Sequence, residues 1–94
     1  MNKRQEDFVY FLEDTLIPDL VDSGMEFTAQ DFEEGIIYLR SLTSGTRGYR
    51  TEAKKFIGWL RSTLIPDLKD SGRVSTAKDF STLAKMIETE LNRR

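Results

Sequence analysis

The stretch TLIPDLVDSGMEFTAQDF, residues 15–32, returns 48 residues later as TLIPDLKDSGRVSTAKDF, residues 63–80. The two copies carry the same residue at 13 of their 18 positions. A fixed period of this kind is the sequence signature of a structure built from repeated supersecondary units. We therefore expect a single domain over 1–94, with repeat one at 1–42, a linker at 43–50 and repeat two at 51–94.

Apolar residues spaced by three and four positions predict two helices in each repeat. The predicted core residues are Phe8, Leu12, Leu16, Leu20, Phe32, Ile36, Leu39, Phe56, Leu60, Leu64, Leu68, Phe80, Leu83, Ala84, Ile87 and Leu91. Each repeat is then a helical hairpin, and the fold class is all-α. Two hairpins bury their apolar faces most economically as a closed four-helix bundle with a pseudo-twofold axis. The alternative is a pair of hairpins that completes its core by dimerisation.

Glycine and proline punctuate both repeats at matching positions. Gly24 and Gly72 are predicted to end the first helix of each hairpin in a left-handed conformation. Pro18 and Pro66 lie inside helical patterns and lack an N–H, so a kink or a break is expected at each. Gly35 lies within the second helix, where it either weakens the helix by about 1 kcal/mol relative to alanine or lets another helix approach closely.

Threonine and aspartate predict where the later helices begin. Thr28 with Asp31, and Thr76 with Asp79, have the spacing of a capping box, in which side chains satisfy free N–H groups. Thr51 is the predicted cap of the third helix.

A polar strip is retained in both repeats and consists of Thr15, Asp19, Asp22, Thr63, Asp67 and Asp70. Threonine and aspartate beside proline and glycine usually make local hydrogen bonds to the backbone. We therefore favour a structural role for this strip, with a polar binding strip as the alternative.

The composition removes several classes of site. The chain has no cysteine and no histidine, so it lacks thiolate metal sites, disulfides and the usual acid–base group at neutral pH. The turn in each repeat looks superficially similar to an EF-hand calcium loop, but Gln30 and Lys78 stand where the bidentate glutamate belongs. No nucleophile–base pair is evident among the carboxylates. We expect a protein that is not an enzyme and uses no cofactor or metal.

The chain also lacks the patterns of membrane and secreted proteins. Its longest apolar run is the five residues from Phe8 to Leu12, far too few to cross a bilayer. The polar N-terminal sequence shows no apolar segment of a secretory signal. We expect a cytoplasmic protein with no membrane partner.

The two halves carry opposite charge. Residues 1–48 hold four Lys and Arg against ten Asp and Glu, or −6, whereas residues 49–94 hold ten against six, or +4. The first half also has four apolar residues in succession, Ile36 to Leu39, which is more than one core stripe needs. This predicts docking of a basic partner, either another protein or a second copy, as an inhibitor or regulator. The predicted partner-binding residues are Tyr10, Met25, Glu26, Glu33, Glu34, Ile37 and Tyr38.

A basic stretch at 47–61 supports an alternative function. Its candidate nucleic-acid-binding residues are Arg47, Arg50, Lys54, Lys55 and Arg61. Interleaved with Tyr49 and Trp59, they could follow a phosphate backbone. The overall pI of about 5.1 opposes strong binding to nucleic acid, so protein docking is the first hypothesis.

Overall fold

The computed structural model describes residues 1–45 and 48–93, and helices are the regular secondary structure found there, joined by short turns. The elements are α1 (Lys3–Phe11), a first π-helical segment (Leu12–Leu16), α2 (Ile17–Asp22), α3 (Glu26–Thr43), α4 (Arg50–Trp59), a second π-helical segment (Leu60–Leu64), α5 (Ile65–Asp70) and α6 (Val74–Asn92). Each π-helical segment joins its two neighbours without a break, so these elements make four helices in a compact globule. The all-α prediction is confirmed.

The chain stays helical through Pro18 and Pro66, and the predicted break does not occur. Each proline is the second residue of an α-helix that follows a π-helical segment. The N–H of Ile17 donates to the carbonyl of Leu12, five residues back, and Ile65 repeats this bond in the second hairpin. A π turn pairs residues five apart, so it fits the proline ring and its missing N–H without ending the helix.

The π-helical segments also change which side chains are buried. Leu16 and Leu64 were predicted for the core from a regular spacing, but they are only partly buried. Ile17 and Ile65 occupy the core instead. The extra residue in a π turn shifts the apolar stripe by one position, which a pattern of 3.6 residues per turn does not anticipate.

Gly24 and Gly72 end α2 and α5 in the left-handed conformation, with φ of 78° and 79° as predicted. The N–H of Met25 donates to the carbonyl of Leu20 at 2.8 Å, and the N–H of Gly24 donates to that of Val21 at 3.0 Å. These two bonds form a Schellman motif. Met25 is also the N-cap of α3, so one residue ends the first turn and begins the next helix.

The predicted capping boxes are wrong, because the later helices begin earlier. α3 begins at Glu26 and α6 at Val74, so Thr28 and Thr76 lie inside the first turn. The Schellman motif already directs the chain into the next helix, and no side chain caps either N-terminus. Thr51 likewise lies inside α4 instead of capping it.

The core is centred on α3 and α6, which make the most extensive contact between helices. Phe32 and Phe80 are fully buried there and stack with their ring centroids 3.7 Å apart. A Cβ at Gly35 would overlap the side chain of Leu83 and press on Phe56. The absence of a side chain at Gly35 therefore allows the close approach that the sequence offered as one of two explanations.

The ends of the chain meet at one end of the bundle. The side-chain amide of Gln5 donates to Glu90 at 2.9 Å in a buried hydrogen bond between α1 and α6. Arg50, at the start of α4, donates to the carbonyl of Leu91 at 2.6 Å. The radius of gyration is 12.8 Å, close to the value of about 12 Å expected for a compact chain of this length. No helix in the described part of the chain is long and apolar enough to cross a membrane.

The retained polar strip is exposed along its whole length. Its members are Thr15, Asp19, Asp22, Thr63, Asp67 and Asp70. The only side-chain hydrogen bond among them within the described residues joins Thr63 to the neighbouring hydroxyl of Ser62. The expected bonds from this strip to the local backbone are therefore not formed.

Candidate functional site

A groove of about 430 Å³ lies between α3 and α4. We call it the acidic–aromatic groove, and its lining residues are Asp31, Glu34, Tyr38, Glu52, Lys55, Phe56 and Trp59. The members on each helix are spaced by three and four positions, so each helix presents one face to the groove. Three carboxylates and one ammonium leave it with a formal charge of −2.

Aromatic rings form the floor and one wall of this groove. The ring of Tyr38 meets the edge of Phe56 at a centroid distance of 5.3 Å, and Phe56 lies 6.1 Å from Trp59. Tyr49 extends the strip, 5.9 Å from Tyr38. Phe56 is buried, whereas Trp59 is 40% exposed. These separations are typical of favourable aromatic pairs, so the strip is a packed surface, with Trp59 and Tyr49 as its exposed rings.

The carboxylates are held in two different ways. The hydroxyl of Tyr38 donates to Glu34 at 2.6 Å. Burial, this hydrogen bond and the nearby carboxylates raise the pKa of Tyr38 to about 12, so the phenol remains a donor at neutral pH. Burial and, secondarily, Glu34 raise the pKa of Asp31. Asp31 and Glu52 accept no hydrogen bond and form no ion pair with any described residue, and Lys55 forms none either.

A second groove, of about 370 Å³, lies between α1 and α6. We call it the basic groove, and its lining residues are Asn2, Arg4, Gln5, Thr82, Lys85, Met86 and Thr89. The 48-residue offset relates three of these positions to the acidic–aromatic groove: Thr82 to Glu34, Met86 to Tyr38, and Arg4 to Glu52. The three matched sequence positions thus hold two acidic residues and one tyrosine in the first groove, and threonine, methionine and arginine in the second.

Glu34 and Tyr38 are the only two predicted partner-binding residues that line the acidic–aromatic groove. Glu33 and Ile37 lie on an adjoining face of α3, in helical register with Arg40. Ile37 is 52% exposed.

The remaining three predicted partner-binding residues lie elsewhere. Tyr10 is 68% exposed on α1. Met25 and Glu26 lie at the start of α3, where a shallow depression separates them from α5, and the guanidinium of Arg73 contacts the sulfur of Met25. The predicted set is therefore spread over separate parts of the surface.

The basic set predicted for nucleic acid is partly engaged within the molecule. Arg50 donates to a main-chain carbonyl near the end of α6 at 2.6 Å. Arg61 forms a bidentate ion pair with a glutamate of α6 at 2.7 and 3.2 Å. Lys54 and Lys55 are exposed on α4, and Arg47 lies outside the described residues. Two of the arginines thus already have protein partners.

Four residues of the acidic–aromatic groove were not predicted as site residues: Asp31, Glu52, Phe56 and Trp59. The sequence did hold a signal for them, since the spacing of positions 52, 56 and 59 resembles that of 31, 34 and 38. A short linker also makes α3 and α4 neighbours. The same residues also fit other patterns, since the spacing predicts a cap at Asp31 and a core position at Phe56, and this hides the groove.

No protein-family model, curated protein or solved structure matches this chain. Within residues 1–45 and 48–93, no cluster of three or more acidic side chains could hold a metal ion.

Proposed function

We propose that this protein is a non-enzymatic binding module that docks a basic segment of another protein in the acidic–aromatic groove. The observation that carries the proposal is the coincidence of unpaired carboxylates with an open aromatic ring in one concave place. Concave sites with an apolar floor and a few polar groups are the usual form of a binding site. A regulatory or inhibitory role follows if the docked segment is itself functional.

Electrostatics support a basic partner. Asp31 and Glu52 lack protein donors in the described residues, so a cationic side chain could satisfy them without displacing an existing bond. Complementary charge accelerates association and excludes acidic competitors. The aromatic floor adds contact area for the apolar stem of a long basic side chain.

The pseudo-twofold arrangement expected from the repeat is part of this proposal. Three pairs of residues 48 apart pack together across α3 and α6: Phe32 with Phe80, Gly35 with Leu83, and Met25 with Arg73. Equivalent residues meet in this way near a twofold axis. On this view the two grooves are equivalent places, and divergence of the repeats left one suited to docking.

The experiment that tests the function is a titration of uniformly ¹⁵N-labelled protein, followed by NMR, with three probes. The probes are a peptide that mixes lysine and arginine, the same peptide with its basic residues replaced by glutamate, and duplex DNA. We expect the basic peptide to shift the resonances of Glu34, Tyr38, Glu52 and the indole N–H of Trp59. The glutamate peptide should leave them unchanged.

Other outcomes point elsewhere. Shifts caused by DNA at Lys54 and Arg61 that survive physiological salt would favour the nucleic-acid alternative. Shifts caused by the basic peptide at Tyr10 and Ile37 would move the docking face to the outer side of α3. The cytoplasmic location expected from the sequence belongs to the same proposal, and subcellular fractionation tests it.

A further inference from the structure

We infer that the acidic–aromatic groove selects arginine over lysine, with the partner's guanidinium stacked on Trp59 and paired with Asp31 and Glu34. This inference rests on the proposed function and names the chemical group that the groove recognises. The proposed contact lies at the end of the groove where the ring of Trp59 is exposed.

The helix register places these residues together. Tyr38 meets both Tyr49, at the N-cap of α4, and Phe56, whereas Gly35, further back along α3, meets Phe56. The two helices therefore run antiparallel along the groove. One turn back along α3 from Tyr38 is Glu34, and one turn forward along α4 from Phe56 is Trp59. Glu34 and Trp59 therefore face each other, and Asp31 is on the same face of α3 as Glu34.

The two carboxylates of α3 can be neutralised together by one guanidinium. Asp31 and Glu34 are three residues apart on one helix face; burial raises the pKa of Asp31, and the charge of Glu34 raises it further. A cation between them would relieve this repulsion. A guanidinium offers several N–H donors in one plane, so it can serve two carboxylates at once while its face covers an aromatic ring.

Lysine fits the same place less well. An ammonium is compact and strongly hydrated, and it lacks a flat face to stack on Trp59. The groove already contains such a group: Lys55 lines it but forms no ion pair with any described carboxylate.

The test compares three fluorescein-labelled peptides by fluorescence anisotropy. They alternate glycine with arginine, with lysine, or with citrulline, which keeps the shape of arginine without its charge. We expect the arginine peptide to bind about two- to fivefold more tightly than the lysine peptide, since a cation–π contact is worth about 0.5–1 kcal/mol at an exposed site. The citrulline peptide should bind weakest.

Protein variants locate the site. Trp59→Leu should lower the affinity for the arginine peptide to that for the lysine peptide. Glu34→Gln and Asp31→Asn should each lower it about two- to fivefold, the effect of losing one exposed ion pair. Glu33→Gln is the matched control, because it removes the same charge from the neighbouring, exposed position outside the groove. Circular dichroism checks that each variant keeps its helices.

Each contrary outcome has a distinct meaning. Equal binding of the arginine and lysine peptides, still sensitive to Glu34→Gln, would overturn the arginine preference and leave the docking function standing. No binding of either peptide would overturn both. Equal effects of Glu33→Gln and Glu34→Gln would place the peptide outside the groove. Sedimentation that shows a dimer dissolved by Asp31→Asn would make a second copy the occupant and overturn the choice of another protein.

Discussion

At the scale of single residues, the two repeats offer a natural comparison in Asp31 and Asp79. Each is the sixth residue of its helix, α3 or α6. Burial raises the pKa of both carboxyls, Glu34 raises that of Asp31 further, and Lys78 lowers that of Asp79. When a carboxyl has a higher pKa in the folded than in the unfolded state, the folded protein loses stability as pH rises. The loss develops between the unfolded-state pKa and the folded-state pKa. Both aspartates therefore weaken the fold at neutral pH.

We expect Asp31→Asn to raise the free energy of unfolding at neutral pH, and Asp79→Asn to raise it less. The gains are small, because both carboxyls keep much of their solvent. Each gain should shrink as pH falls through the raised pKa and vanish below about 3.8, the ordinary value. Both variants lose the same interaction with the helix dipole, so their difference reports the neighbouring charges. Urea unfolding across this pH range measures it, and a reversed ranking would contradict the electrostatic explanation.

A stability cost at Asp31 is consistent with use of that carboxylate for binding. Proteins tolerate small destabilising features where function needs them. Asp31→Asn should therefore have opposite effects on the two properties, with firmer folding and weaker binding of the arginine peptide.

At the scale of helices, each hairpin is closed by one ion pair at equivalent positions with the charges exchanged. Arg40 pairs with Glu13 at 2.7 Å, and Arg61 pairs with Glu88 at 2.7 Å. The 48-residue offset relates Glu13 to Arg61 and Arg40 to Glu88. In the proposed pseudo-twofold arrangement, exchange of the second helices of the hairpins would place Glu13 opposite Glu88 and Arg40 opposite Arg61. The exchanged charges thus favour pairing of the two helices of one hairpin, because the wrong pairing would bring like charges together.

Exchange of the first pair should therefore change how the chain associates. Glu13→Arg alone places two cations together and should lower the free energy of unfolding by about 1 kcal/mol or less, as expected for exposed charges. Glu13→Arg with Arg40→Glu should restore stability, yet it gives both hairpins the same charge pattern. We expect this double variant to form more helix-exchanged dimer on refolding at high concentration, measured by size-exclusion chromatography. A dimer fraction equal to that of the unmodified protein would show that the charges do not select the pairing.

The helices were predictable from sequence where one period holds, and not where the period changes. Every predicted core position of α3 and α6 is buried. The stripe failed at Leu16 and Leu64, because the extra residue of each π-helical segment is invisible to a constant spacing. It also failed at Phe8 in α1, which is only partly buried while the neighbouring Val9 is buried. The groove was harder to predict, since it depends on which faces α3 and α4 turn toward each other. Packing around Gly35 and Phe56 determines those faces, and this packing involves residues from more than one helix.

At the scale of the whole molecule, a buried polar contact joins α1 to α6, and the corresponding positions of the other repeat hold apolar residues. Gln5 bonds to Glu90, which is only 7% exposed. The 48-residue offset relates these positions to Ala53 and Leu42, and both belong to the apolar core or pack against it. The chain therefore contains its own apolar alternative to this hydrogen bond.

Placing apolar residues at positions 5 and 90 tests how much the buried hydrogen bond contributes to stability. Gln5→Ala alone removes the amide that donates to Glu90, so this carboxylate keeps only its ion pair with Arg93 at 3.5 Å. It also removes the acceptor of the Asn2 N–H at the N-cap of α1, and it should cost about 1–3 kcal/mol of the free energy of unfolding. Gln5→Ala with Glu90→Leu should recover the part of this loss that comes from the buried carboxylate, since well-packed apolar groups often replace buried polar pairs without loss. Urea unfolding measures both. A double variant as unstable as the single one would mean that the polar contact itself holds the ends together. Binding of the arginine peptide is the control and should not change, because both substitutions lie outside the acidic–aromatic groove.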